Sequence, residues 1–129
     1  MSRKSTVVYF ELKDARFIHR PWGGRVKMLC DETTPTKSLV FGFLSIDPGA
    51  KLPLHYHDVE EGQYVLFGYG VLHDYEGKRR PVRPGVILYA PAGIEGAHSI
   101  ENTGDIPLGV LFAYPAPQGK PPEIKRVEE

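Results

Sequence analysis

Two histidines one residue apart, His55 and His57, are followed at once by three acids, Asp58, Glu60 and Glu61. Imidazole and carboxylate are the common protein ligands of first-row transition metals, and a short run holding both is where such a site begins. On a β-strand residues i and i+2 share a face, so His55 and His57 project side by side. A polar strand end facing solvent carries the same pattern, and these residues alone leave both readings open. Strand parity across a turn does not choose between Glu60 and Glu61.

The elements that would position these side chains are short strands. Residues 39–46, mostly apolar and closed by Asp47, Pro48 and Gly49, read most clearly as a strand ended by a turn. Residues 51–57 read as the strand carrying the histidine pair, residues 61–67 as the next, and residues 71–75 and 79–83 as a hairpin. Residues 86–90, 98–101 and 108–114 follow as strands, while 6–10 and 25–30 precede. Residues 11–18 fit a strand or a single helical turn equally. The tail from Pro115 is Pro-rich and charged and is expected to be ordered only in part. Short strands with turns every roughly eight to twelve residues, and no clear helix, predict an all-β sandwich or barrel.

Composition narrows the function. The chain has 129 residues, 41% hydrophobic and 25% charged, with sixteen basic residues balancing sixteen acidic ones. A neutral chain without a basic run gives no electrostatic reason to expect nucleic acid or an anionic membrane as partner, so a small-molecule substrate is the first expectation. The single cysteine, Cys30, excludes an intrachain disulfide. The four-residue apolar run at 7–10 is shorter than a signal peptide's apolar region, and no stretch has the length of a membrane span, so a soluble, cytoplasmic protein is expected.

Spacing then links distant residues. Gly49, His55, His57, Glu61 and Gly68 are separated by five, one, three and six residues, and Gly85, Pro91, Gly93, His98 and Asn102 by five, one, four and three. This pattern resembles the two-motif signature of the cupin superfamily, as a small single-domain cupin. The departure is the gap between Gly93 and His98, four residues where the family usually has two. The resemblance implies an antiparallel jelly-roll β-barrel forming one domain over residues 1–129: a core barrel at about 39–114, an N-terminal strand segment at 1–38 and the tail at 115–129. It implies one divalent metal ion held by His55, His57, Glu61 and His98. Three imidazoles and a carboxylate suit Fe, Mn, Ni, Cu or Zn better than Ca or Mg, and an octahedral ion would leave two positions for substrate, water or dioxygen. Parity places Gln63, Val65 and Phe67 on the face of Glu61.

The function expected from that resemblance is a metal-dependent dioxygenase acting on an enol, diketone or catechol-like substrate. Glu61 would stay as ligand or serve as base, and Gln63, His73 and Tyr75 are candidates for substrate orientation. The alternatives are a redox-neutral lyase, isomerase or decarboxylase, or a non-enzymatic binder of a small ligand. Small cupins are commonly homodimers, and residues 6–10 with the Pro-rich tail are the elements expected to pair with a partner.

Overall fold

The computed structural model describes residues 2–128. Eleven short strands run in two antiparallel sheets, which are the two walls of a jelly-roll barrel. The strands are β1 (Ile18–Arg20), β2 (Gly24–Cys30), β3 (Leu39–Ile46), β4 (His55–Tyr56), β5 (Glu61–Phe67), β6 (Gly70–Asp74), β7 (Arg79–Val82), β8 (Ile87–Ala90), β9 (His98–Asn102), β10 (Leu108–Pro115) and β11 (Lys125–Arg126). One sheet has the order β1-β2-β3-β10-β5-β8 and the other β11-β4-β9-β6-β7. Three short 3-10 turns, Leu12–Asp14, Ile94–Gly96 and Pro117–Gly119, are the helical elements among the described residues. None of these is long and apolar enough to cross a membrane.

Alternation along the central strands divides the interior into layers. Ile46 and Leu44 of β3 lie opposite Leu108 and Val110 of β10, and Val110 lies opposite Val65 of β5. With Ile100 of β9 and Leu72 of β6 they form a buried apolar core between the sheets. One step along, Phe112 stands opposite Gln63, and beyond them the inward side chains turn polar. One end of the barrel is thus filled and the other carries functional groups.

Four expectations are corrected. Residues 6–10 form no strand, and their apolar side chains are largely exposed. Within 51–57 only His55–Tyr56 is a strand, with Lys51 bridged to Glu101, because Pro53 interrupts the ladder. Phe67 does not follow Glu61 and Gln63 inward. A register shift between Gly109 and Val110 inserts one residue in β5, so Phe67 turns out to meet Phe43 at a 6.0 Å ring separation. The tail is ordered within its own chain: β11 pairs with β4, and the Val127 amide donates to the Leu54 carbonyl.

Asn102, the last residue of the second motif, ties the filled end together. Its buried side-chain amide donates to the carbonyls of Ile46 (2.9 Å) and Ile106 (2.8 Å), and its oxygen accepts from the Gly104 amide (2.9 Å). Replacing it leaves one buried and two partly buried backbone groups without this partner. Asn102→Ala should lower stability by roughly 2–4 kcal/mol, read as a shifted urea midpoint at unchanged slope.

Candidate metal centre and its cavity

The donors converge from both walls. His55 on β4 lies directly across the ladder from His98 on β9, their rings 4.7 Å apart, and His57 follows two residues after His55. Glu61 arrives from β5 in the opposite sheet. One ligand atom each from His55, His57 and Glu61 falls within a mutual 4.8 Å. His98 stands against this group, its Nε2 3.4 Å from Glu61 Oε1, while His57 Nε2 is 3.8 Å from the same oxygen. All four side chains are buried.

Backbone carbonyls hold the imidazoles in orientation. His55 Nδ1 donates to Pro53 O (2.8 Å), His57 Nδ1 to Glu123 O (2.9 Å) and His98 Nδ1 to Gly96 O (3.0 Å). A carbonyl only accepts, so each Nδ1 carries the proton, and each Nε2 is the nitrogen left to offer a metal. The two residues by which the Gly93–His98 gap exceeds the motif lie in the 3-10 turn Ile94–Gly96, and that turn supplies the carbonyl that orients His98. Gly96 is required there because a Cβ would collide with the Pro91 carbonyl.

The residues fit a metal ion. Donor atoms bound to one first-row ion at about 2.0–2.2 Å stand roughly 3–4 Å from one another, and His57 Nε2 and His98 Nε2 each stand at such a distance from Glu61 Oε1. Glu61 Oε1 is buried without a hydrogen-bond partner among the described residues, an arrangement that is costly unless something positive binds it. Charges respond to the crowding. Burial, aided by the charge of His98, pushes His55 down to about 4, so it is neutral at neutral pH. Burial alone would raise the Glu61 carboxyl and lower His98. Their mutual attraction, with help from the Gln63 amide for Glu61, outweighs it, leaving Glu61 below and His98 above their ordinary values. Without metal, His98 is therefore the partner of Glu61, and metal binding must displace its Nε2 proton.

A cavity of about 370 Å³ opens beside His55, His57 and Glu61. Its walls are mostly apolar: Trp22, Val26 and Met28 on one side, Leu44 and Phe112 at the base. Pro121, Pro122 and Ile124 of the tail close it over. Tyr114 faces it with its ring 5.6 Å from both His57 and Phe112. Burial, then the Glu61 charge, raises its phenol well above the ordinary range, so it keeps its proton. Gln63 is buried against His98, its Nε2 3.5 Å from His98 Nε2, and its Oε1 has no partner among the described residues.

The structure does not bring His73 and Tyr75 to this cluster. On β6 it is Gly70 and Leu72 that are buried, so His73 points outward and donates to Glu101 at 3.0 Å, and Tyr75 is exposed. Missed from the sequence were Tyr114, Trp22, Arg20 and the tail. Tyr114 was legible by parity, since it follows Leu108, Val110 and Phe112 at two-residue steps. The others reach the cavity only through loops and edge strands.

Two outcomes follow. His98→Ala should weaken metal binding by about 100-fold or more, and His73→Ala should leave it unchanged, both read by competitive chelator titration. The metal-free protein should lose stability on acidification. A depressed His55 stabilises the fold above pH 6.5, and that contribution is lost as pH falls from 6.5 towards 4. Below 4.5 Glu61 adds to the loss, whereas the raised His98 changes stability only as pH climbs above 6.5. Urea midpoints across pH 4–7 should fall less steeply for His55→Gln.

Comparison with known proteins agrees with this architecture. The profile of the cupin domain matches residues 42–114. An oxalate-binding protein of Thermotoga maritima is 38% identical over 92 residues, covering 68% of this chain and 74% of the relative. A polyketide cyclase from Streptomyces resistomycificus superposes with a TM-score of 0.81 at 20% identity, covering 95% of this chain and 87% of the cyclase, a likeness of fold. A variant of oxalate decarboxylase from Bacillus subtilis superposes at 0.71 with 25% identity over 90% of this chain, which spans only 31% of that enzyme. With its metal-ligand geometry, its two-sheet barrel and this match over more than half its length, the chain belongs to the cupin family.

Proposed function

We propose that the chain is a metal-dependent enzyme holding one divalent first-row transition ion through His55, His57, Glu61 and His98. Its substrate presents two oxygen donors from an apolar body, as an enol, diketone or catechol does, and dioxygenation is the reaction proposed. The observation that carries this reading is the placement of three oriented imidazoles and one orphaned carboxylate oxygen beside an apolar cavity of about 370 Å³. When bound, the ion supplies Lewis acidity to the substrate oxygens at neutral pH.

The chain's own residues supply the rest. Tyr114 holds its proton at Oη beside the cavity and can donate a hydrogen bond to a substrate oxygen that gains charge. Gln63 Oε1, buried and unpaired, is available to accept from a substrate hydroxyl. Phe112, Met28 and Val26 exclude water from the apolar part of the substrate. Glu61 offers its free oxygen to the metal or, released from it, to a substrate proton.

A second reading is favoured by one observation, the 38% identity to the protein named oxalate-binding. On that reading the same site binds a small dicarboxylate, with redox-neutral chemistry or none. A two-carbon diacid would fill only a small part of the cavity and leave its apolar wall wet, so this reading ranks second.

Metal analysis of protein purified without added metal, followed by titration with acetylacetone, catechol and oxalate in an oxygen electrode, separates them. About one ion per chain, tighter binding of the diketone or catechol, and oxygen consumption are expected. Tighter oxalate binding with no oxygen uptake would replace the first reading with the second.

A further inference from the structure

Two arginines stand at one mouth of the cavity with no partner among the described residues. Arg20 ends β1, the edge strand of one sheet, and Arg126 lies in β11, the edge strand of the other, opposite His55 in register. The mouth is thus the place where the two sheets come together without pairing. Among the described residues neither guanidinium makes an ion pair or a hydrogen bond. Together they flank a recess of about 240 Å³ whose remaining walls are Pro21, Trp22, Leu52, Pro53, His55 and Ile124. Among the described residues no acidic side chain lines it. Arg20, Trp22, Leu52, His55 and Ile124 line both the recess and the larger cavity, so the two are adjacent.

The surroundings keep the arginines available. Of the acids lining the larger cavity, Asp31 is occupied by the Thr33 amide (2.9 Å) and hydroxyl (2.6 Å), and Glu61 belongs to the histidine cluster. Glu32 is exposed on the far loop. The positive charge of Arg20 reaches the cavity, because it opposes the rise in the Tyr114 phenol. Trp22 lines the same recess, and the edge of its ring lies against Gly24, where a Cβ would collide with it. The chain carries no net charge, so this mouth is a local feature and not a consequence of a basic protein.

We infer that the recess between Arg20 and Arg126 is an anion subsite, and that the substrate is an amphipathic acid: oxygen donors at the metal end, an apolar body against Trp22, and a carboxylate or phosphate between the two guanidinium forks. This rests on the metal-dependent reading above and specifies its substrate class. Planar guanidinium groups pair with both anions through two parallel hydrogen bonds, and a recess without acids and partly out of water strengthens the pairing. An aromatic body also gains from stacking on a fixed indole face.

Trp22 is the single tryptophan, so its fluorescence reports occupancy directly. Metal-loaded and metal-free protein would be titrated with 3,4-dihydroxyphenylacetate, its neutral methyl ester and the phosphate monoester of 4-(hydroxymethyl)catechol. The acid or the phosphate is expected to bind about tenfold tighter than the ester, with the gap shrinking in salt. The tighter of the two anions names the source. The double variant Arg20→Met/Arg126→Met should bind acid and ester alike, and Arg20→Lys/Arg126→Lys should restore part of the preference, which separates lost charge from lost folding. Equal binding of acid and ester by the wild-type protein, or a tenfold preference surviving in the methionine variant, overturns the subsite. If the preference persists but metal removal changes nothing, the metal reading fails and the subsite stands. Binding of none of the three probes counts against both.

Discussion

Three hydrogen bonds from imidazole Nδ1 atoms to main-chain carbonyls hold this site in its chemical form. A histidine can present either nitrogen, and the wrong tautomer presents a proton where a lone pair is needed. Here the carbonyls of Pro53, Glu123 and Gly96 each accept a hydrogen bond from one Nδ1–H, so the three rings have a single way to face inward. The three carbonyls come from the approach to β4, the tail and the turn before β9, parts of the chain far apart in sequence. The barrel must close before the site has its donors.

That dependence explains why the molecule is built from two unequal ends. The filled end, with Ile46, Val65, Ile100, Leu108 and Val110 wholly buried, supplies the rigidity. Rows of the same strands then continue to Gln63, Glu61 and Tyr114, which inherit positions set by the apolar rows. Burying four ionisable groups together is unfavourable for each, and the opposed displacements of His55 and His98 are how the cluster accommodates it without metal. One ring stays neutral and one stays paired with Glu61.

Much of this was legible in the residues. The turn at Asp47 to Gly49, the long apolar strand before it and the spacing of His55, His57 and Glu61 are local signals, and local signals survive folding. The second motif was legible only to its composition. Whether four residues between Gly93 and His98 displaced the histidine depended on a single turn of backbone, and no pattern of side chains announces a 3-10 turn of Ile, Glu and Gly. Phe67 was misplaced for a related reason, since one bulged residue inverts parity and leaves no mark in composition. The tail was the largest omission. Its prolines suggested only partial order, yet Pro121 and Pro122 are stiff wall elements that lack amide donors and precede the strand pairing at Lys125–Arg126.

The tail's contact with His57 makes it more than a wall. Residue 123 lends its carbonyl to the His57 ring, while its neighbours Pro121, Pro122 and Ile124 line the adjoining cavity. An ion at the histidines and an organic ligand in the cavity would therefore be thermodynamically linked through one peptide segment. Whatever presses that segment down favours the correct ring of His57 and so tightens the grip on the ion, and the ion, by reciprocity, tightens the grip on the ligand to the same degree. A barrel with no moving domain thus has a built-in route to cooperativity between its two occupants.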